Sequence, residues 1–434
     1  MRLAWPIFIG QISFVLIGFG DVVVAGHYST SAVAAIGVAN GLINPFFIFG
    51  VGLIAAVSPY LSIERGKGSF TRGQRLLSIC VFCLLVSALV VLGLMVLNEI
   101  FLESLGLNQE LVPYIQRYNR IVVWSLPFGL LYAGIKEYYQ SFEEVKVPNV
   151  LVFVAVFVNI VLNWVFTLGI EGVYDGIGFD GLAIASFGVR LFIFLAILFY
   201  ARGEFIRTLD WTYIKNLFRF SLPVGLSYFF EVFAFCLVSI LSGMLTVTSA
   251  AANNIVITIS SVTFMLPFSL SSAVAVRVGE SFGKCDADEL ARRASASFGL
   301  GTVIAICISL FYLIFGSWSA KIMGQNAEVT SLASSVFVLV AVFQLSDSFQ
   351  VILSGVLRGM ELARQSLGLV FAGYWIMGIP LGIYLCFGLN QGILGLWKGL
   401  GVALSIVALA LYLYYFKKLS LLKQQFHDRS GSFL

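Results

Sequence analysis

LAWPIFIGQISFVLIGFGDVVVAGH, residues 3–27, is an almost unbroken apolar run whose single acidic residue is Asp21. A stretch of that length suffices to cross a bilayer as a helix. An ionisable group at membrane depth is costly and marks an ion or substrate pathway. Two further acids, Glu231 and Asp347, are embedded in comparable apolar runs. The rest of the chain has the same character: 59% of the residues are hydrophobic, 11% are charged, and the mean hydropathy is +0.97. The fold class is therefore all-α integral membrane protein.

Runs long enough to span fall at 3–27, 33–60, 75–98, 113–139, 148–170, 180–201, 213–244, 249–276, 293–317, 330–357, 367–388 and 392–416. Twelve transmembrane helices are expected. With the N-terminus on the cytoplasmic side, 21 of the 26 Lys and Arg fall on that side. They are Arg2; Arg65, Lys67, Arg72 and Arg75; Lys136 and Lys146; Arg202, Arg207, Lys215 and Arg219; Arg277, Lys284, Arg292 and Arg293; Arg358 and Arg364; and Lys417, Lys418, Lys423 and Arg429. Glu99, Glu103, Glu110, Glu171, Asp175 and Asp180 fall opposite. This bias places both termini in the cytoplasm of a multi-pass protein of the inner (plasma) membrane. The net charge of +4 reflects topology, so nucleic acid is not an expected partner.

The first run outlasts any signal peptide and lacks a small-residue cleavage site, so helix 1 is expected to stay in the protein. Of six cysteines only Cys285 lies in an expected loop, on the reducing side, and no disulfide framework is implied. Cys80 and Cys83 have metal-ligand spacing but no second ligand pair, so they read as packing residues.

An internal repeat sets the architecture. Pro6 and Pro223, each expected to open a long helix, and Gly66 and Gly283, in the basic loop two helices later, are both 217 residues apart, half of 434. Phe142-Glu143-Glu144-Val145-Lys146 and Met360-Glu361-Leu362-Ala363-Arg364 match at a shift of 218. The chain reads as two six-helix bundles: residues 1–201, a cytoplasmic linker at 202–214, and residues 215–434 with a short cytoplasmic tail. Six is even, so both halves enter from one side and the repeat is parallel, about an axis along the membrane normal.

Local motifs narrow the class. Trp5-Pro6-Ile7-Phe8-Ile9-Gly10, then Gly20-Asp21, Gly26-His27 and Ala34-Ala35-Ile36-Gly37, resembles the opening of multidrug and toxic compound extrusion (MATE) transporters, closest to the NorM-like branch. Leu222-Pro223, Phe230-Glu231, Ala251-Ala252-Asn253-Asn254 and Met265-Leu266-Pro267 resemble the start of the second half. Asn159-Ile160-Val161-Leu162-Asn163, Gly181-Leu182-Ala183-Ile184-Ala185, Asp347 with Gln350, and Leu357-Arg358-Gly359 extend the likeness over essentially the whole chain.

The resemblance implies a two-lobed secondary antiporter that exports organic cations in exchange for H⁺ or Na⁺ by alternating access. It implies a coupling site at Asp21 with Asn159, Asn163 and Ser186 in the amino-terminal lobe, and a second at Glu231 and Asp347 in the carboxy-terminal lobe. Independently of family, Asn159 and Asn163 share a helix face and can offer two amide oxygens to one ion, with Asp21 supplying charge. A low dielectric favours the neutral form of a lone carboxyl group, which suits a proton carrier. Either coupling ion is accommodated.

Each residue also has a plainer reading. Asn159 and Asn163 can be interhelical glue, Asp21 a solvated helix end, and Glu231 and Asp347 members of structural ion pairs. Lys398 departs from the expected pattern: in the same half as Glu231 and Asp347, it would neutralise one of them if it reached it. Arg190 either snorkels or pairs with an acid that the sequence does not identify. Pro45, Pro127, Pro267 and Pro380 are expected to interrupt helices 2, 4, 8 and 11. Tyr228, Phe264, Gln344 and Gln350 are candidates for a cation-friendly substrate cavity, with Tyr374 and Phe229 among the other aromatic residues.

The two histidines, His27 and His427, fall on opposite sides of the membrane, and no GxxxxGK[ST] loop, GxSxG elbow or metal-ligand constellation is present. No enzymatic activity and no cofactor are expected. Small organic cations or drugs and membrane lipid are the expected partners of a monomer. A lipid-linked oligosaccharide flippase would need basic cleft helices, and this chain's are acidic. A non-transport membrane scaffold would make no use of an ion gradient.

Overall fold

The structure, a computed structural model, describes residues 3–69, 71–100, 112–170, 172–206, 208–324 and 326–431. Arg2, Glu103, Glu110, Glu171 and Arg207 of the charge pattern lie outside the described residues.

The chain is all-helical. In order come α1 (Ala4–Tyr28), α2 (Thr30–Ile54), α3 (Val57–Gly66), α4 (Leu76–Ile100), α5 (Val112–Ser141), α6 (Lys146–Leu168) and α7 (Asp180–Ala201). The second half holds α8 (Trp211–Leu245), α9 (Val247–Gly283), α10 (Ala287–Met323), α11 (Ala327–Gly359), α12 (Ala363–Phe371), α13 (Ile379–Ile383) and α14 (Ile393–Gly431). A short break at Ala55 and Ala56 separates α2 from α3 within one span, and α12 and α13 are parts of another. Among the described residues eleven segments are long and apolar enough to cross a membrane. The twelfth span, α5, falls below that hydropathy because it carries Arg117, Asn119, Arg120, Lys136, Glu137 and Gln140 and buries much of its length against protein.

Two compact units form. Unit 1 comprises Met1–Leu61 and Phe70–Phe229, and unit 2 comprises Ser62–Ser69 and Phe230–Leu434, so the division falls inside α3 and α8. In unit 1, α5 packs against α2, α4 and α7, while α1 lies on α6. In unit 2, α11 takes the central place against α9, α10 and α14.

The repeat is written into the backbone. Ser29 caps α2 by accepting from Ala32 N at 3.0 Å, and Thr246, 217 residues on, caps α9 by accepting from Ser249 N at 3.0 Å. Gly68 at φ 66° corresponds to Cys285 at φ 58°, and Glu143 at φ 62° to Glu361 at φ 60°. Left-handed backbone is uncommon without glycine, and here it recurs at equivalent turns.

The prolines behave differently from expectation. Pro45, Pro127 and Pro267 lie inside continuous helices, and Pro223 sits well within α8 instead of opening it. Neighbouring helices tolerate the freed carbonyls in a membrane bundle. Only around Pro380 does the winding change. There α13 is flanked by π-helical turns at Ala372–Gly378 and Tyr384–Gly388, with Ile379 N bonded to Tyr374 O and Leu389 N to Tyr384 O.

The connection before α8 is a single 3₁₀ turn, Arg202–Glu204, then residues 205–210. Asp210 ends it as the N-cap of α8, its Oδ1 accepting from Tyr213 N at 2.9 Å and its Oδ2 from Arg75 at 2.6 Å. The Tyr213 N–H, and then Arg75, hold its carboxyl below the ordinary carboxylate range. An acid with a depressed folded pKa stabilises above its unfolded value, about 3.9, and loses that contribution as pH falls through the folded value. Asp210→Ala should therefore lower thermal stability at neutral pH by about 1 kcal/mol. Paired melting curves should show that difference shrinking below about pH 4.

Candidate functional site: buried carboxylates and their partners

Asp21 lies on α1 and is 6% exposed. Its Oδ1 accepts from Asn159 Nδ2 at 2.9 Å and Asn163 Nδ2 at 2.6 Å, both on α6, and its Oδ2 from Ser186 Oγ on α7 at 3.1 Å. Three helices thus converge on one carboxylate, and the hydrogen bonds offset the cost of removing it from water. Gly20 permits the approach: a Cβ there would stand 2.7 Å from Asn159 Oδ1. The four sequence-selected residues of the first half are one cluster.

Arg190 acquires a partner. One turn beyond Ser186, it donates through Nη1 to Ser125 Oγ at 2.5 Å and interacts electrostatically with Asp21 and Tyr118. Arg190 thus adds a basic group to the electrostatic surroundings of the buried acid. Asn159 Oδ1 and Asn163 Oδ1 are buried without a hydrogen-bond partner among the described residues.

The second pair is different. Glu231 on α8 and Asp347 on α11 are half-buried and interact electrostatically, with no hydrogen bond to either carboxylate among the described residues. Arg358, which donates through Nη2 to Ser271 Oγ at 2.9 Å, lies within electrostatic range of Glu231. Lys398 does not play that part. It is exposed and reaches back to Gln391 Oε1 at 2.8 Å, because a long stem near a helix end snorkels to polar surroundings. The π-helical turn at Ala372–Gly378 brings Tyr374 to the pair: its ring meets Phe235 at 6.4 Å, and Trp375 Nε1 donates to Phe230 O at 3.2 Å. The buried Tyr374 hydroxyl lies within electrostatic reach of both acids. Sequence carries no signal for this, since a π turn leaves no periodicity.

The proposed cavity residues scatter. Tyr228 is half-buried in unit 1, and Phe264 stacks on Phe268 at 5.8 Å in unit 2. Gln344 and Gln350 are only 3% and 1% exposed, packed inside α11, so neither presents its amide to open space in this conformation. Gln344 Nε2 is occupied by Ser348 Oγ at 3.3 Å.

Sequence reasoning missed a buried polar group on α5. Lys136, one of the cytoplasmic-side cations of the charge pattern, is 6% exposed and stands 3.7 Å from Glu137. Glu137 Oε2 accepts from Ser58 Oγ at 2.6 Å and from Gln140 Nε2 at 2.9 Å. The readable signal was an adjacent Lys-Glu pair inside an apolar span.

At the basic loops, Arg72 grips Glu144 in bidentate fashion at 2.6 and 2.7 Å and also bonds Glu204, and these bonds raise its pKa above the ordinary value. In unit 2, Glu280 gathers Arg65 at 3.1 Å, Arg293 at 3.0 Å and Lys284 at 2.8 Å.

The MatE family model matches residues 6–165 and again 223–384. Multidrug resistance protein MdtK of Yersinia pseudotuberculosis is 30% identical over 430 residues, covering 95% of this chain and 93% of the relative. Among solved structures, the eukaryotic MATE transporter AtDTX14 superposes with a TM-score of 0.87 at 18% identity over 98% of this chain and 97% of that one. The bent form of the Vibrio cholerae MATE transporter VcmN gives 0.84 at 19% identity over 98% and 97%.

Proposed function

From the premise that the chain belongs to the MatE family of membrane transporters, we propose that it is a multidrug efflux antiporter that exports organic cations in exchange for H⁺ or Na⁺. It is a transporter and not an enzyme. The observation that carries the antiport reading is Asp21, a buried carboxylate hydrogen-bonded by Asn159, Asn163 and Ser186.

An ion or proton arriving at Asp21 neutralises the carboxylate and weakens its hold on the amides of α6 and the hydroxyl of α7. Binding that differs between two conformations shifts their populations, which ties ion movement to the change in access. Departure of the ion restores the carboxylate and its attraction to Arg190, and the cycle resets. Glu231 and Asp347 supply negative charge that an organic cation can meet in unit 2. In this reading both termini lie in the cytoplasm, and the working unit is one chain that uses no cofactor.

The buried acids also favour this reading over a lipid-linked oligosaccharide flippase, whose pyrophosphate cargo calls for basic groups. Expression in a drug-sensitive bacterial host should lower steady-state ethidium accumulation severalfold, and collapsing the ion gradients should restore it. Accumulation equal to that of cells lacking the protein, with the protein present in the membrane, would overturn the proposal.

A further inference from the structure

The face of α6 that serves Asp21 continues one turn further. Asn159, Asn163 and Thr167 are spaced four apart and so lie in one row. All three are buried, at 0%, 0% and 2% exposure. Asn159 Oδ1, Asn163 Oδ1 and Thr167 Oγ1 all lack a hydrogen-bond partner among the described residues. Buried polar atoms are ordinarily satisfied, and three in a row on one helix face call for an explanation.

The row ends against a tight turn. A Cβ on Gly176 would stand 2.7 Å from Thr167 O, and one on Gly181 would stand 2.7 Å from Thr167 N. Gly181 follows Asp180, so Asp180 is one residue from this close approach. Asp180 pairs through Oδ2 with Arg117, while its Oδ1 is a fourth buried oxygen without a partner. This end of α6 is opposite the basic loops at Arg72 and Lys146.

Buried oxygens with lone pairs and no hydrogen-bond donor facing them are suited to a cation, and alcohol and amide oxygens do not take up a proton near neutral pH but do coordinate hard metal cations. We propose that Thr167 Oγ1 and Asn163 Oδ1 form a loading station for Na⁺ one turn from Asp21, reached past Asp180, through which the coupling ion passes to and from the carboxylate. The inference rests on the antiport reading and adds to it a named ion and a named route. Thr167 holds the ion in transit and is not the group whose charge is exchanged.

The test is the Na⁺ dependence of ethidium efflux in proteoliposomes at fixed pH, for the wild type, Thr167→Val and Thr167→Ser. Thr167→Val keeps the shape and removes only the oxygen. It should raise the half-saturating Na⁺ concentration roughly fivefold to tenfold, with maximal flux at saturating Na⁺ near that of the wild type. Thr167→Ser should restore the wild-type value. Na⁺ should also raise the melting temperature of the purified wild type more than K⁺ does, a readout that needs no variant.

Unchanged half-saturation in Thr167→Val overturns the inference and leaves the oxygens lining a hydrated groove only. So does a wild type whose flux follows pH alone, or a melting temperature that Na⁺ does not raise above the K⁺ value; in these cases the antiport reading stands. Wild-type protein that responds to neither gradient removes the antiport reading itself.

Discussion

Asp21→Asn should reduce ion-driven efflux by roughly 10–100-fold, the range of a coupling energy of a few kcal/mol, while the protein still folds. Asparagine has the shape of aspartate and retains one acceptor for the amides of Asn159 and Asn163. The loss in stability should be about 1 kcal/mol, that of an altered hydrogen bond. Asp21→Leu is the informative contrast. It removes every acceptor, leaves three buried donors unmatched, and should lower the melting temperature clearly more than Asp21→Asn. Flux and melting curves on the same preparations separate coupling from folding. Normal efflux in Asp21→Asn would show that the carboxylate is only structural.

The second large effect is on stability. In unit 2 the ends of α3 and α9 touch through two glycines, Gly66 and Gly283, the pair that marks the repeat. A Cβ on Gly66 would stand 2.9 Å from Gly283 Cα, and one on Gly283 would collide with Ile63 O. These neighbours are backbone, so no rotamer change relieves the clash. The same ends are bound by Arg65 to Glu280 at 3.1 Å, which any separation would stretch. Gly283→Val should therefore cost about 3 kcal/mol or more. It should appear as a melting temperature several degrees lower, or as failure to purify as a single species. Gly203→Ala is the control, since nothing lies within 4 Å of a Cβ there. Wild-type stability in Gly283→Val would mean that the two helix ends are free to part.

Much of the fold was legible because membrane spans are written in long apolar runs and the repeat in matched turns. Gly68 with Cys285 and Glu143 with Glu361 show that a shift of 217 or 218 residues carries backbone conformation as well as residue type. The Asp21 cluster was legible because the spacing of Asn159 and Asn163 fixes one helix face. What stayed hidden depends on tertiary neighbours. Nothing local announces that Arg190 lies within electrostatic range of Asp21, that Arg358 does so for Glu231 while Lys398 reaches Gln391, or that Lys136 turns inward to Glu137. The prolines misled for the same reason. Packing against other helices keeps α2, α5, α8 and α9 continuous through theirs, while π turns flank Pro380.

The central claim, that an ion gradient drives export through Asp21, is tested most directly by ethidium efflux from proteoliposomes holding purified wild type. An inward-directed Na⁺ gradient and an imposed pH gradient are applied separately, with Asp21→Asn run in parallel. The account predicts efflux above protein-free liposomes under at least one of the two cation gradients, and background flux from Asp21→Asn. Equal fluxes from wild type and Asp21→Asn, or none from wild type under either gradient, would contradict it.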